Sequence, residues 1–201
     1  MDTIAYEAHG NLYLNITNRC SANCIFCIKN YSDGVYGYNL KLKKEPDVGE
    51  VIGELGKRRL PDYTEVVFTG LGEPTVRFDE LLEITRWLKS RGSAVRLDTI
   101  GHAKLLYPGR APARELSAAG MDVVSVSLNA HDETTYNQLC RPKFRNSYNS
   151  MLGFAGDVVT EGMKLRLTVV DLPAVDIGKC REIARGLRGE FKVRSYATAS
   201  P

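Results

Sequence analysis

Three cysteines lie within eight residues near the start of the chain, and their spacing is the feature best suited to chemistry. They are Cys20, Cys24 and Cys27, in the segment Cys-Ser-Ala-Asn-Cys-Ile-Phe-Cys. A short curled loop with this spacing can aim three thiolates at one point, as cysteine-ligated iron–sulfur clusters require. A cluster of four irons would then lack one protein ligand, and an open metal position can hold a small molecule directly.

A structural zinc site is the main alternative for the same thiols. Such a site needs four ligands, usually supplied as two separated pairs. The fourth ligand could come from Cys140, Cys180 or one of the three histidines, His9, His102 and His131. The tight trio favours the cluster, and we expect Cys140 and Cys180 to be ordinary, half-buried helix cysteines.

Length and composition predict one globular domain over residues 1–201. Of its 201 residues, 43% are hydrophobic and 25% are charged, which is enough for a sizeable core. No apolar run is long enough to cross a bilayer, and the N-terminus lacks the pattern of a signal peptide. We therefore expect a cytoplasmic protein with no membrane partner, in which five cysteines indicate metal binding rather than disulfides.

The charge pattern is mildly basic and does not indicate a nucleic-acid partner. The net charge is +3, with basic runs that begin at Lys41, Lys57 and Arg141. Such runs are usually solvated surface, and no recognised nucleic-acid-binding module accompanies them.

Apolar strands alternate with amphipathic helices in units of about 30 residues. The predicted strands cover 12–17, 65–69, 95–99, 123–129, 165–170 and 191–196, and the predicted helices cover 46–59, 78–91, 113–119, 132–140, 147–161 and 177–187. This alternation predicts an α/β fold with parallel strands and right-handed crossovers. A closed eight-unit barrel takes about 250 residues, so this length favours a partial (β/α)6 TIM-like barrel, with a flat doubly wound sheet as the alternative.

Polar residues lie at the ends of the predicted strands, which is the edge where such folds bind ligands. The cysteine loop follows the first strand, and Glu73 follows the second within Gly-Leu-Gly-Glu-Pro. Asp98 lies at the end of the third strand, and Ser127 and Asn129 at the end of the fourth. We expect these groups to converge on one site.

With Phe26 just before the last cysteine, the trio resembles the signature of the radical S-adenosylmethionine (SAM) superfamily. The resemblance implies a radical SAM core in which Cys20, Cys24 and Cys27, on a cluster loop over 18–38, hold an oxygen-sensitive 4Fe-4S cluster. The fourth iron of that cluster would chelate the amino and carboxylate groups of SAM.

The family's Gly-Gly-Glu-Pro motif resembles residues 71–74, with Leu71 in place of the first glycine. The resemblance implies that Glu73 accepts a hydrogen bond from the SAM ammonium, a charge-assisted pairing. It places Arg141 either against the SAM carboxylate or on the plain surface, and no glycine motif is evident around Val169. The implied SAM-binding residues are Phe26, Gly72, Glu73, Asp98, Thr99, Ser127, Asn129 and Arg141.

Stretches over 6–27, 34–46, 97–101 and 125–142 further resemble the small radical SAM proteins described as TatD-linked. That name implies an association with a TatD-like hydrolase and carries no reaction. The substrate and any catalytic side chain therefore stay unknown.

The resemblance implies reductive cleavage of SAM to methionine and a 5'-deoxyadenosyl radical that abstracts hydrogen from the unknown substrate. An electron donor of the flavodoxin or ferredoxin type is therefore an expected partner. Two enzyme alternatives are an activase that installs a glycyl radical on a partner protein and a nucleobase-modifying enzyme resembling carboxydeazaguanine synthases. A third alternative is a non-catalytic metal-binding partner of a TatD-like hydrolase.

Overall fold

The computed structural model describes residues 2–196, and its centre is a seven-stranded sheet. In chain order the strands are β1 (Ala5–Ala8), β2 (Asn11–Asn15), β3 (Gly34–Val35), β4 (Tyr38–Asn39), β5 (Val66–Thr69), β6 (Val95–Thr99), β7 (Val123–Ser127), β8 (Lys164–Val170) and β9 (Glu190–Arg194). The sheet order is β1-β2-β5-β6-β7-β8-β9, and β3 with β4 forms a separate hairpin. Among the strands described within residues 2–196, β1 alone pairs antiparallel in the seven-stranded sheet.

Seven α-helices connect and cover these strands in the described part of the chain. They are α1 (Val48–Leu55), α2 (Phe78–Lys89), α3 (Ala103–Leu106), α4 (Pro112–Ala119), α5 (Glu133–Cys140), α6 (Ser147–Thr160) and α7 (Ile177–Gly186). Side chains of Asp47, Asp132 and Asp176 accept backbone hydrogen bonds at the starts of α1, α5 and α7. Each cap satisfies an amide that the helix itself leaves free. Within residues 2–196, no helix has the length and apolarity needed to span a membrane.

The two faces of the sheet differ sharply in polarity. Neighbouring strands align Leu14, Phe68, Leu97 and Val124 in one row, and all four are fully buried against the helices. Because successive side chains of a strand point to opposite faces, the alternate residues form the other, concave face. That face carries mainly polar and charged side chains on its last four strands: Arg96, Asp98, Ser125, Ser127, Arg166, Thr168, Lys192 and Arg194.

All six predicted strands are present and parallel, which confirms the prediction of a partial barrel. The predicted helix over 46–59 is too long, since α1 begins after its cap at Asp47 and ends before Gly56. The short strand β1 was missed. The chain turns from β1 into β2 at His9 and Gly10, which both have positive φ, as the two-residue turns of tight hairpins do. The usual sequence signals of such a turn begin with Asn, Asp or Gly, so His9 did not indicate the hairpin.

We expect Gly101→Ala to destabilise the fold more than Gly92→Ala. Both glycines have φ near +77°, at +78° and +76°, so both alanines would adopt the strained left-handed conformation. An added Cβ at Gly101 would lie 2.7 Å from Cγ of Met151, whereas the one at Gly92 meets nothing within 4 Å. Overpacking of this kind costs about 1–3 kcal/mol beyond the shared backbone strain. Urea unfolding of the two variants measures the difference, and equal losses would contradict the tight contact between Gly101 and α6.

Candidate functional site

The cysteine loop is attached to the protein by backbone hydrogen bonds on two sides. On one side, the amide of Glu73 donates to the carbonyl of Arg19 at 2.8 Å. On the other, the amides of Asn23 and Ile25 donate to the carbonyls of Cys140 and Leu139, at 3.0 and 2.9 Å. The loop therefore lies between the segment after β5 and the C-terminal end of α5.

Gly72 allows the closest approach in this attachment. A Cβ atom at this position would lie 2.3 Å from the carbonyl oxygen of Thr17 and 2.7 Å from that of Arg19. Leu71, by contrast, is buried beside Tyr6 and Leu40. Leu71, which replaces the first glycine of the family motif, therefore lies where a side chain fits. Gly72 lies where no side chain would fit.

A cavity of about 300 Å³ opens at the C-terminal ends of the strands. Its walls bring together the three thiols and seven of the eight predicted SAM-binding residues: Cys20, Cys24 and Cys27 with Phe26, Gly72, Glu73, Asp98, Thr99, Ser127 and Asn129. The cysteine loop and the polar residues at the strand ends therefore lie around one cavity, as expected from the sequence.

Arg141 is the predicted residue that the structure places elsewhere. It is exposed, has a left-handed backbone with φ of 45°, and lines a separate depression beside Glu133 and Asn137. Its contact with the cysteine loop is made by its carbonyl, which accepts from the amide of Asn23 at 3.2 Å. This placement does not support a role for Arg141 at the SAM carboxylate. It agrees with the alternative expectation that Arg141 is a surface residue.

Some lining residues were not anticipated. Arg194, Ser195 and Tyr196 enter the cavity wall from the end of β9, and Val170 enters it from β8. Arg194 is the one cation among the described lining residues. Its position at the end of the sixth parallel strand was the available signal, because the polar ends of the earlier strands had already pointed to this edge.

The carboxylate of Glu73 is buried and held by four hydrogen bonds from the chain itself. Its Oε1 accepts from the hydroxyls of Thr75 and Thr99, both at 2.6 Å, and from the Thr75 amide at 3.1 Å, while Oε2 accepts from the Ile100 amide at 2.8 Å. Burial raises the pKa of Glu73, and these hydrogen bonds oppose that rise. Glu73 thus joins the ends of β5 and β6, and a nearby cation would further favour its charged form.

Asp98 lies beside two guanidinium groups. It pairs with Arg96, which also donates to Oε1 of Glu65 at 2.9 Å. Burial raises the pKa of Asp98, and the charges of Arg96 and Arg194 oppose that effect. Asp98 therefore brings a carboxylate to the cavity that is already partly neutralised.

Asn129 presents a buried acceptor without a partner. Its side chain is 3% exposed, and its Nδ2 lies 3.8 Å from the sulfur of Cys140. Its Oδ1 has no hydrogen-bond partner among residues 2–196. Leaving such a group unsatisfied costs about 1–3 kcal/mol, so a donor on a bound ligand would be stabilised there.

Cys20 and Cys24 are protonated in the metal-free chain. Burial raises the pKa of Cys20 to about 11. A hydrogen bond with the thiol of Cys140 is the largest cause of the raised pKa of Cys24, and burial is the second. Cys140 and Cys180 are fully buried rather than half-buried, and the contact of Cys140 with Cys24 was not foreseen.

No three His, Cys, Asp or Glu side chains within residues 2–196 are close enough together to hold a single metal ion. The zinc alternative therefore finds no preformed set of ligands. A cluster has separate irons for separate thiolates, so it does not require the three sulfurs to meet around one ion.

Comparison with known proteins gives the family. Residues 14–155 match the model of the Radical SAM superfamily, which is more than half of the chain. The chain belongs to the radical SAM superfamily.

Two curated relatives share about a third of the aligned residues with this chain. The tungsten-containing aldehyde ferredoxin oxidoreductase cofactor-modifying protein of Pyrococcus furiosus is 32% identical over 121 residues, covering 59% of this chain and 30% of that protein. A probable GTP 3',8-cyclase of Methanothermobacter thermautotrophicus is 30% identical over 174 residues, covering 82% of this chain and 51% of that protein. The chain thus spans about half or less of the length of these relatives.

Solved structures show the same fold at low identity. Streptococcus suis SuiB bound to S-adenosylmethionine has a TM-score of 0.71 and 14% identity, covering 94% of this chain and 41% of SuiB. TYW1 with a lysine-pyruvate adduct bound has a TM-score of 0.65 and 17% identity, covering 96% of this chain and 67% of TYW1. These likenesses confirm the radical SAM fold of the sheet and its helices.

A fully buried histidine supports the cysteine loop of this radical SAM fold. The ring of His102 lies between Ser21 and Tyr136, with Nδ1 at 3.0 Å from the serine hydroxyl and Nε2 at 2.8 Å from the tyrosine hydroxyl. Burial lowers the pKa of His102 to about 4, so the ring is neutral at neutral pH. It therefore donates one hydrogen bond and accepts the other, linking the residue after Cys20 to α5.

We expect His102 to make the folded state sensitive to acid. Below pH 6.5 the unfolded chain takes up a proton at this ring, whereas the folded chain does not until about pH 4. The free energy of unfolding therefore decreases as the pH is lowered from 6.5 to about 4, by up to about 3 kcal/mol. Urea unfolding between pH 7 and pH 4 should show a shallower decline for His102→Gln than for the wild type. The exposed control His9→Gln should keep the wild-type decline, and an unchanged slope in His102→Gln would contradict the assignment.

Proposed function

We propose that this chain is a radical SAM enzyme that binds one 4Fe-4S cluster through Cys20, Cys24 and Cys27 and cleaves SAM reductively in the adjoining cavity. The observation that carries the proposal is that the three thiols share this cavity with Glu73 and with the unpaired Oδ1 of Asn129. The donor set suits the cluster, because thiolates are its ligands and no fourth cysteine or histidine is among the described lining residues.

The remaining lining residues suit SAM. Glu73 and Asp98 supply carboxylates for its positive charges, and Asn129 supplies an acceptor for an amino or hydroxyl group. When bound, the cluster and SAM would supply the chemistry: an electron from an external reductant would pass through the cluster to the sulfonium of SAM, whose cleavage to methionine would provide a 5'-deoxyadenosyl radical for hydrogen abstraction from the substrate.

The protein's own part in this reaction is to bind, orient and exclude water. Tyr31, which comes four residues after Cys27, packs edge-on against Tyr196 after β9. The ring centres are 6.2 Å apart, and the two hydroxyls are in contact. The Tyr31 hydroxyl also donates to the carbonyl of Ile25 at 3.1 Å. These contacts join the two ends of the cavity wall, so we propose that this tyrosine pair limits access of water and oxygen to the cluster.

Partners and substrate follow as proposals from the same chemistry. The electron would come from a flavodoxin or ferredoxin-type reductant in the cytoplasm. Membership of the TatD-linked group and a TatD-like hydrolase partner rest on sequence resemblance alone. Among the alternatives, a small-molecule enzyme is supported by the relative named as a probable GTP 3',8-cyclase. A glycyl-radical activase and a non-catalytic metal-binding protein have no comparable support.

Each of the three cysteines should be required for iron binding and for SAM cleavage. After anaerobic reconstitution with iron and sulfide, the wild type should bind four irons and, with dithionite and SAM, form 5'-deoxyadenosine, measured by chromatography. Single alanine variants of Cys20, Cys24 and Cys27 should lose the product and most of the iron, because each removes a thiolate ligand. Cys180→Ala is the matched control, since this buried cysteine lies outside the cavity. Iron binding with intact SAM would favour the non-catalytic alternative.

Glu73→Gln should weaken SAM binding while leaving iron content unchanged. The amide loses the negative charge, so we expect roughly tenfold weaker binding, equivalent to about 1.4 kcal/mol. Equilibrium dialysis with cluster-loaded protein measures this affinity, and Glu133→Gln on the exposed start of α5 is the control. Because the new amide also disrupts the hydrogen bonds from Thr99 and Ile100, thermal unfolding must show that the variant is folded at the assay temperature. Unchanged SAM affinity in folded Glu73→Gln would remove Glu73 from the SAM site.

A further inference from the structure

A second and larger concavity adjoins the cavity that contains the thiols. It has a volume of about 660 Å³ and lies on the concave face of the sheet, where a closed barrel would have its filled interior. The two spaces share wall residues, among them Asp98, Ser127 and Arg194. A molecule in this concavity, which we name the chamber, would therefore lie directly beside the space proposed for SAM.

Among the described residues, four cationic side chains line the chamber. Two of them form ion pairs and two do not. Arg96 is paired with Glu65 and Asp98, and Arg166 is paired with Glu190 at 3.1 Å. These two guanidinium groups are satisfied by neighbours on their own sheet. They shape the floor of the chamber without offering a free charge.

Lys192 and Arg194 are the other two cationic side chains. Neither has a carboxylate within 4 Å among residues 2–196, and both are exposed to solvent. The charge of Asp98 acts on Arg194 from beyond that distance, without forming an ion pair. They are two residues apart on β9, and so they point to the same face of the sheet. Their partners in register on β8, Thr168 and Val170, carry no charge. The edge strand of the chamber thus carries two positive side chains that form no ion pair in the described chain, next to the cavity.

Aromatic side chains from the first part of the chain also line the chamber. Tyr36 is 61% exposed, and its hydroxyl lies 3.0 Å from Nε2 of His9, with the two rings edge to face at 5.0 Å. Tyr13 lies on β2 and stacks on Tyr6, with ring centres 5.2 Å apart. These rings offer apolar surface together with hydrogen-bonding tips, which suits the less polar part of a small ligand.

We propose that the chamber is the substrate site and that the substrate is a small molecule whose phosphate or carboxylate group binds Lys192 and Arg194. This inference rests on the proposed function, since it takes the adjoining cavity as the SAM site. A lysine and an arginine two residues apart offer a point charge and a planar fork, both of which bind such anions strongly. The aromatic side chains would contact the uncharged part of the same molecule.

The first experiment measures binding of guanosine triphosphate, guanosine and citrate to the full chain by isothermal titration calorimetry. The nucleotide and its uncharged nucleoside separate recognition of the phosphates from recognition of the ring, and citrate represents carboxylates. We expect at least one of the two anions to bind at least tenfold more tightly than guanosine. Binding of GTP alone would identify a phosphate, and binding of citrate alone a carboxylate. Failure of both anions to bind, or equal binding of guanosine, would overturn the proposal.

The second experiment locates the binding. The double variant Lys192→Gln/Arg194→Gln should weaken the anion at least tenfold, with guanosine affinity unchanged. The matched control Lys164→Gln/Lys179→Gln removes the same charge from exposed positions outside both cavities and should stay within twofold of the wild type. Circular dichroism confirms that each variant is folded. An anion affinity that falls equally in the control would show an effect of net charge only, and it would overturn the chamber as the site.

A third measurement tests whether Arg194 binds SAM instead of the substrate anion. Single variants Lys192→Gln and Arg194→Gln are compared for SAM affinity after cluster loading and for anion affinity without the cluster. We expect both to weaken the anion at least threefold and to change SAM affinity less than twofold. If Arg194→Gln weakens SAM alone, the guanidinium belongs to the SAM site and the proposal is overturned. If cysteine-dependent SAM cleavage fails while anion binding still depends on both residues, the proposed function fails and the anion site stands.

Discussion

The close backbone approach of the cysteine loop to residues 72 and 73 is the constraint on which the site depends. The carbonyls of Thr17 and Arg19 occupy the space that a Cβ of Gly72 would take, and the next amide donates to Arg19. The same residue, Glu73, then ties its buried carboxylate to Thr99 and Ile100 at the end of β6. One tight contact therefore fixes the exits of three neighbouring strands relative to each other, which sets the distance between the thiols and the polar wall.

The other side of the loop is held by neutral groups. His102 reaches Ser21 and Tyr136 without carrying a proton, and the last turn of α5 gives its carbonyls to the amides of Asn23 and Ile25. These carbonyls are the groups that a helix leaves unpaired at its C-terminus, so docking the loop there satisfies both partners. Burial keeps Cys20 and Cys24 protonated until a metal displaces the proton.

Sequence patterns predicted the parts of this structure that depend on local order. Strand alternation gave six parallel strands, and the polar residues at their ends gave the cavity wall from Glu73 to Asn129. The family resemblance left Arg141 either at the SAM carboxylate or on the surface, and the left-handed turn at that residue directs it to the surface. His102 and Cys140 act through contacts between segments far apart in the chain, and no local pattern encodes such contacts.

The polarity of the concave face follows from leaving the barrel open. In a closed eight-stranded barrel, the inward side chains fill the interior with branched apolar residues. Here, six parallel strands and one antiparallel edge strand leave that face in contact with water, so it carries arginine, lysine, serine and aspartate while the apolar residues face the helices. Most of its charges are neutralised within the sheet, because an unpaired buried charge is costly. Lys192 and Arg194 form no ion pair, and they lie on the last strand, where water reaches them and no following strand supplies a carboxylate in the described chain. Cationic side chains without an ion pair are therefore confined to the open edge of this face beside the cavity, where an anionic ligand can bind them without first breaking an ion pair.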